Sequence, residues 1–191
     1  MAVVQKNYKL TNLKILVVDD NDSMRFMIRT ALHALGVEMV HDVGSASAAF
    51  AAIESFRPDI VITDWEMAPT DGIVLVKTLR ADADPRKKFI PIIMLTGYGE
   101  EARVHEARDA GVNEYMVKPF TAKGLFNRLV SLIVSQRHFI RLNGYFGPDR
   151  RRRETRYLGG NRRLRAPLVL PLANSVMTPI KGSGFAPTAG A

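Results

Sequence analysis

The 191-residue chain contains no cysteine. Disulfide bonds and thiolate metal sites are therefore excluded, and a reducing compartment is indicated. Apolar runs of membrane-spanning length are also missing, and residues 1–14 lack the apolar centre of a secretory signal. We therefore expect a cytoplasmic protein without a transmembrane segment.

Acidic side chains are scarce after residue 134. Residues 135–191 carry 2 acidic and 11 basic side chains, whereas residues 1–134 carry 17 acidic and 16 basic ones. The net charge of +8 therefore comes from the C-terminal part, and any affinity for polyanions is expected there. We predict a short leader over residues 1–12, a folded domain over residues 13–137 and a basic tail over residues 138–191.

Four continuous apolar runs in the body each end on a residue that can handle a phosphoryl group. Continuous rather than alternating apolar residues are typical of parallel strands that are covered on both faces. The residues that follow the four runs are Asp19 with Asp20, Asp64, Thr96 and Lys118. Because ligands bind beyond the carboxyl ends of such strands, we expect these side chains to converge at one edge of the sheet.

The alternation of strand and helix signals occurs five times. It predicts a doubly wound α/β fold with a five-stranded parallel sheet of flavodoxin-like order 2-1-3-4-5. The final amphipathic helix begins at Thr121, and its pattern can be extended as far as Leu142. From Tyr145 onward no periodic apolar face remains, so we expect the tail to be largely disordered.

The acidic cluster favours chemistry at phosphorus. Asp19, Asp20 and Asp64 would crowd together on neighbouring strands, and like charges at such distances need a cation between them. Oxygen ligands with room for water suit Mg²⁺, and no histidine lies in these segments to indicate zinc. A carboxylate beside Mg²⁺ can attack phosphorus to form an aspartyl phosphate. Lys118 would add a second positive charge, and Thr96 could donate a hydrogen bond to the phosphoryl group.

At these positions the chain closely resembles the receiver domain of two-component response regulators, over roughly residues 13–136. The resemblance depends on the combination of four motifs. These are Leu16-Val17-Val18-Asp19-Asp20, Asp64-Trp65-Glu66-Met67 followed by Asp71-Gly72, Leu95-Thr96-Gly97, and Tyr115-Met116-Val117-Lys118-Pro119-Phe120.

The resemblance implies a role for each site residue. Asp64 would be the phosphoacceptor, Thr96 the switch hydroxyl, Tyr115 the switch aromatic and Lys118 the cation that contacts phosphate. The implied metal ligands for Mg²⁺ are Asp20 directly, Asp19 more distantly, the Asp64 carboxylate and the backbone carbonyl of Glu66. The family also implies a cis peptide bond before Pro119. The phosphate donor would be a histidine kinase or a histidine phosphotransfer protein, and the output would be altered binding of an effector protein.

Two departures from the family pattern concern the surroundings of Asp64. The family usually has proline four residues after the phosphoacceptor, whereas this chain has Ala68 there and Pro69 next. We expect a change of loop shape with retained chemistry. Glu66 and Tyr98 occupy positions at which the family tunes hydrolysis of the phosphate. Trp65 is expected to be exposed beside the site.

The tail has its own candidate site. The forks of Arg150, Arg151, Arg152 and Arg153 can bind phosphate or carboxylate groups bidentately. Nucleic acid, an anionic membrane surface, an acidic protein and the domain's own acidic edge all remain open as targets, although no helix-turn-helix pattern is present.

Two alternatives to a signalling receiver remain open. One is a phosphorelay intermediate that only passes phosphate onward, and the other is a phosphorylation-gated nucleic-acid-binding regulator that acts through the tail. A phosphatase of the haloacid dehalogenase type is disfavoured, because that family has a second aspartate where this chain has Glu66. In the favoured interpretation the protein is not an enzyme beyond its own phosphorylation and dephosphorylation.

Overall fold

A computed structural model describes residues 10–97, 99, 101–134, 137–142, 144–149 and 168–170. Strands and helices alternate as far as residue 134. The strands are β1 (Lys14–Val18), β2 (Met39–Val43), β3 (Ile60–Asp64), β4 (Ile92–Thr96) and β5 (Glu114–Val117). The helices are α1 (Asp22–Ala34), α2 (Ala46–Phe56), α3 (Gly72–Ala81), the short α4 (Pro85–Lys88), α5 (Glu101–Ala110) and α6 (Ala122–Val134).

The five strands form one parallel sheet in the order β2-β1-β3-β4-β5. Both the fold class and the strand order predicted from the sequence are confirmed. The central strands are buried on both faces, which explains why their sequences are continuous apolar runs rather than alternating ones.

Each face of the sheet has its own core. Side chains of α2, α3 and α5 cover one face, and side chains of α1 and α6 cover the other. Successive residues of a strand point to opposite faces, so Leu16 belongs to the first core and its neighbour Val17 to the second. Within the described part of the chain, no helix is long and apolar enough to span a bilayer.

The chain continues past α6 as a hairpin. Strand β6 (Phe139–Leu142) pairs antiparallel with β7 (Tyr145–Pro148), and β8 (Leu168–Leu170) pairs antiparallel with β6. Leu142 lies opposite Tyr145, so a two-residue connection joins β6 to β7. Gly144 in that connection has φ of +78°, as tight hairpin turns require.

Aromatic side chains attach the hairpin to the domain. The ring of Phe139, which is 1% exposed, lies 4.9 Å from the ring of Phe89 and 5.5 Å from the ring of Phe146. The guanidinium carbon of Arg80 lies 5.1 Å from the Phe139 ring centre. The hairpin therefore packs against α3, α5 and the segment after α4.

This arrangement corrects the sequence analysis at the end of α6. The helix ends at Val134 rather than continuing toward Leu142, and residues 145–148 are a strand rather than part of a disordered tail. Phe139 gains more by packing as part of a strand against Phe89 and Phe146 than by extending a helix into solvent. Strands β6 and β7 thus pack beside the predicted domain, and the domain boundary at residue 137 stays a prediction. Residues 150–167 and 171–191 lie outside the described residues, and these include the predicted anion-binding residues Arg150, Arg151, Arg152 and Arg153.

Candidate functional site

Three carboxylates meet at the carboxyl edge of the central sheet. Asp64 is the last residue of β3, and Asp19 and Asp20 follow directly after the adjacent strand β1. One oxygen from each of the three lies within 4.8 Å of the others. Asp19 is fully buried and Asp64 is 8% exposed, while Asp20 is open to solvent. The adjacency of β1 and β3 therefore brings together acids that are far apart in the sequence.

Lys118 reaches this cluster from β5, at the edge of the sheet. Its ammonium lies 2.9 Å from Asp64 Oδ1 and 3.0 Å from Asp19 Oδ2. Its backbone N–H donates to the carbonyl of Thr96 at 2.7 Å, which fixes the start of the loop after β5. The peptide bond between Lys118 and Pro119 is cis, as the sequence resemblance implied. Lys118 thus joins two of the acids with one positive charge.

Burial and the charges in the site together shift the pKa values of Asp64 and Lys118. Burial raises the pKa of Asp64 above its ordinary 3.8, the Lys118 ammonium acts against this shift, and repulsion by Asp19 adds to it. Burial acts to lower the pKa of Lys118, but hydrogen bonds and attraction to Asp64 and Asp19 outweigh burial and raise it. The lysine therefore stays charged, while the site as a whole still favours additional positive charge near Asp64.

The raised pKa of Asp64 predicts a dependence of stability on pH. A carboxyl whose pKa is raised by folding stabilises the folded state below its unfolded pKa, and this contribution is lost as the pH rises through the folded pKa. Asparagine resembles the neutral acid at every pH. In EDTA we therefore expect the melting temperature of Asp64→Asn to exceed that of the parent by an amount that grows from acid to neutral pH. A difference that stays constant across a thermal unfolding series would contradict this expectation.

The loop after Asp64 leaves no room for a side chain at Gly72. A Cβ atom on Gly72 would lie 1.8 Å from the carbonyl oxygen of Asp64 and 2.8 Å from the hydroxyl of Thr63. The Gly72 N–H donates to the carbonyl of Trp65 at 2.8 Å, which closes the loop. This close approach gives a steric reason for the glycine in the Asp71-Gly72 motif.

The substitution of alanine for the usual proline has a visible consequence. The N–H of Ala68 donates to Asp20 Oδ2 at 3.0 Å, a hydrogen bond that proline cannot make. The following bond to Pro69 is cis. Alanine at this position thus allows a hydrogen bond that orients one of the three acids, and the expected change of loop shape relative to the family stays a prediction.

The switch pair predicted from the sequence lies on one face of the sheet. Thr96 is the last residue of β4 and is fully buried, and Tyr115 on β5 is half-buried against the α2, α3 and α5 core. Met94 pairs with Tyr115 and Thr96 with Val117, so all four share a face. The switching roles of Thr96 and Tyr115 remain predictions, as does that of the exposed Glu66. Tyr98 lies outside the described residues.

The expectation that Trp65 is exposed was wrong. Its side chain is 3% exposed, and the guanidinium carbon of Arg103 on α5 lies 5.1 Å from its ring. The backbone N–H of Trp65 donates to Asp64 Oδ1 at 2.8 Å and to Leu95 O at 2.9 Å. No pattern near Trp65 in the sequence indicates that a residue of a distant helix covers it.

A second arginine that sequence reasoning missed holds the acidic loop. Arg25 donates from Nη1 to the carbonyl of Asp19 at 2.7 Å and from Nε to Asp42 Oδ2 at 3.2 Å. It also pairs with Asp22. The sequence does contain a signal for this contact. Arg25 lies in the first turns of a helix that begins among four acidic or amide residues at positions 19–22.

The donor set of the site fits a hard divalent cation. Three carboxylates converge, and the exposed side of Asp20 gives solvent access. Oxygen-only ligands with room for water are what Mg²⁺ prefers, and the residues that would hold it are Asp19, Asp20 and Asp64.

Comparison with known proteins agrees with this geometry. The family model described as the response regulator receiver domain matches residues 15–130. The chain belongs to the response regulator receiver family. It is a receiver of the kind found in two-component signalling, with the five-stranded fold of that family.

Similar proteins include several chemotaxis receivers. The chain is 36% identical over 132 residues to the chemotaxis protein CheY of Pseudomonas aeruginosa, covering 69% of this chain and all of that protein. It is 42% identical over 118 residues to CheY1 of Helicobacter pylori, covering 61% of this chain and 94% of that protein. Among solved structures, chemotaxis protein CheY4 of Vibrio cholerae has a TM-score of 0.57 at 32% identity, covering 61% of this chain and 95% of its own.

Proposed function

We propose that this receiver is phosphorylated on Asp64 by a histidine kinase or a histidine phosphotransfer protein, with Mg²⁺ as cofactor. The observation that carries the proposal is the position of Lys118, which is within 3.0 Å of both Asp64 and Asp19, in a cluster that contains Asp20. Asp64 lies beside two other carboxylates and one lysine. This environment suits a carboxylate that accepts a phosphoryl group better than one that only caps a helix.

The proposed reaction is a transfer between two side chains. An oxygen of the Asp64 carboxylate attacks phosphorus as the bond from phosphorus to the donor's histidine nitrogen breaks, and the acyl phosphate forms. Mg²⁺ held by Asp19, Asp20 and Asp64 would neutralise charge on the phosphoryl oxygens. Lys118 contacts the same oxygens as a point charge, and Thr96 donates to one of them. In this proposal the chain catalyses only its own phosphorylation and dephosphorylation and acts on no further substrate.

The proposed output is a change in protein binding. Phosphate would draw Thr96 inward and let Tyr115 turn, which alters the surface formed by α5, β5 and α6. That surface already exposes apolar area, since Val117 is 41% exposed. A cytoplasmic location follows from this role, because both proposed phosphate donors act there.

Phosphorylation with and without metal tests the proposal. We expect purified protein incubated with labelled acetyl phosphate and Mg²⁺ to take up label at one per chain, and hydroxylamine to release it, as expected for an acyl phosphate. The matched arm contains EDTA in place of Mg²⁺. Uptake should fall to background because Lys118 alone does not balance three carboxylates, and the remaining negative charge repels the phosphoryl group. Equal labelling in both arms would show that the acidic cluster does not act through a divalent cation.

A further inference from the structure

The inner face of α5 is poor in apolar contacts. Only Ala107 and Ala110 are buried within this helix, and both lie in its C-terminal half. Residues three and four positions apart share one face of a helix, so Arg103 continues the same stripe one turn before Ala107. Its side chain is 33% exposed. In the N-terminal half of α5 no residue is fully buried, and Arg103 shares the half-buried positions with Val104.

Arg103 contacts the two residues that follow the phosphoacceptor. Its guanidinium carbon lies 5.1 Å from the centre of the Trp65 ring, and its Nη2 lies 3.9 Å from Glu66 Oε1. The backbone of Trp65 is in turn bonded to Asp64 Oδ1. A short chain of contacts thus runs from α5 through Trp65 to the carboxylate that we propose to be phosphorylated.

The opposite end of α5 is held in a different way. Arg80 Nε donates to the carbonyl of Gly111 at 3.0 Å, directly after the helix. The backbone of β7 also packs on this turn, since a Cβ atom on Gly147 would lie 2.8 Å from Gly111 Cα. Rigid packing therefore holds the C-terminal end of α5, whereas a cation over a ring holds the end beside the phosphorylation site. A helix attached in this way can swing about its C-terminal end if the Arg103 contact is released.

We propose that Arg103 is a positioning residue that closes α5 over the loop after Asp64, shields Trp65 and restricts the access of water to phospho-Asp64. The shielding of Trp65 stands on its own, while the effect on the phosphate rests on the proposed function. In hydrolysis of the acyl phosphate, a water oxygen attacks phosphorus and the bond from phosphorus to the Asp64 oxygen breaks. The Asp64 carboxylate is restored, and inorganic phosphate leaves as H2PO4⁻ with the oxygen and both protons of the water.

The single tryptophan of the chain makes the first measurement specific. Because a cation–ring contact at a partly exposed site shifts an equilibrium by about two- to fivefold, we expect Arg103→Ala to raise the acrylamide quenching constant of unphosphorylated protein by about that factor. Arg103→Lys keeps a cation over the ring and should restore much of the protection. The matched control is Arg108→Ala on the same helix, whose side chain pairs with its neighbour Asp109. This control should quench as the parent does.

The second measurement is the lifetime of the phosphate. After labelling with acetyl phosphate and removal of donor, Arg103→Ala should lose label about two- to fivefold faster than the parent and than Arg108→Ala.

Glu66→Gln separates the two contacts of Arg103, because it removes the charge pair with Glu66 and keeps the contact with the Trp65 ring. It should therefore leave the quenching of Trp65 nearly unchanged.

The outcomes distinguish this proposal from the proposed function. Unchanged quenching in Arg103→Ala would overturn the proposal whether or not the protein accepts phosphate. Raised quenching with an unchanged phosphate lifetime would overturn the control of water access while leaving Asp64 as the phosphoacceptor. If the parent takes up no label at all, the proposed function fails and the quenching result still decides whether Arg103 holds α5 closed.

Discussion

Asp64→Asn should take up no phosphate from acetyl phosphate or from a partner kinase. The amide has no charged oxygen to attack phosphorus, and the substitution also removes one carboxylate from the predicted metal ligands. The neighbouring acids are not expected to take over. Asp19 is bonded to Lys118 Nζ and to the N–H of Asn21, and Asp20 accepts from Ala68 N–H.

Asp71→Asn provides the matched control for this loss. Asp71 belongs to the same loop and is exposed, and its side chain makes no capping hydrogen bond to α3. We expect this variant to be labelled as the parent is. The measurement is the amount of hydroxylamine-labile phosphate per chain, with circular dichroism to show that all three proteins are folded. Normal stoichiometry in Asp64→Asn would refute the assignment of the phosphoacceptor.

Phe139→Ala should strongly destabilise the folded receiver. The Phe139 ring is 1% exposed and lies between the rings of Phe89 and Phe146 and the guanidinium of Arg80. Removing a buried phenylalanine leaves a cavity and costs about 3–5 kcal/mol of the free energy of unfolding. The substitution also removes the ring that covers the Arg80 guanidinium. Burial lowers the pKa of Arg80 to about 9, so the surroundings of this side chain are strongly desolvated.

An exposed phenylalanine of the same chain controls for the change of residue type. Phe26 on α1 is 62% exposed, and Phe26→Ala should change the free energy of unfolding by less than about 0.5 kcal/mol. Urea unfolding of both variants measures the difference. If Phe139→Ala unfolds at the same urea concentration as Phe26→Ala, the hairpin does not belong to the cooperative unit, and the domain boundary predicted at residue 137 would stand.

The hairpin shows a signal that was present in the sequence and was interpreted wrongly. Asn143-Gly144 lies between Phe139 and Phe146, and an Asn-Gly pair flanked by apolar residues favours a tight hairpin. The apolar residues of α6 also recur in this segment, so the sequence pattern alone permits a longer helix. A short strand and the end of a helix can share such a pattern, and only the partners available for packing decide between them.

The order of apolar runs and polar residues in the sequence is enough to predict the parallel sheet and its acidic edge. Continuous apolar runs must be buried on both faces of a sheet, and parallel strands bring their carboxyl ends to one side. The sequence therefore predicts that Asp64, Asp19 and Lys118 lie together, as the distances show. Local rules of this kind act between neighbours in the chain or between adjacent strands. The burial of Trp65 beneath Arg103 and the packing of Phe139 on Arg80 depend on the relative positions of helices and the hairpin in the folded domain. The sequence of neither segment indicates its partner in such a contact, because packing depends on complementary shape in three dimensions.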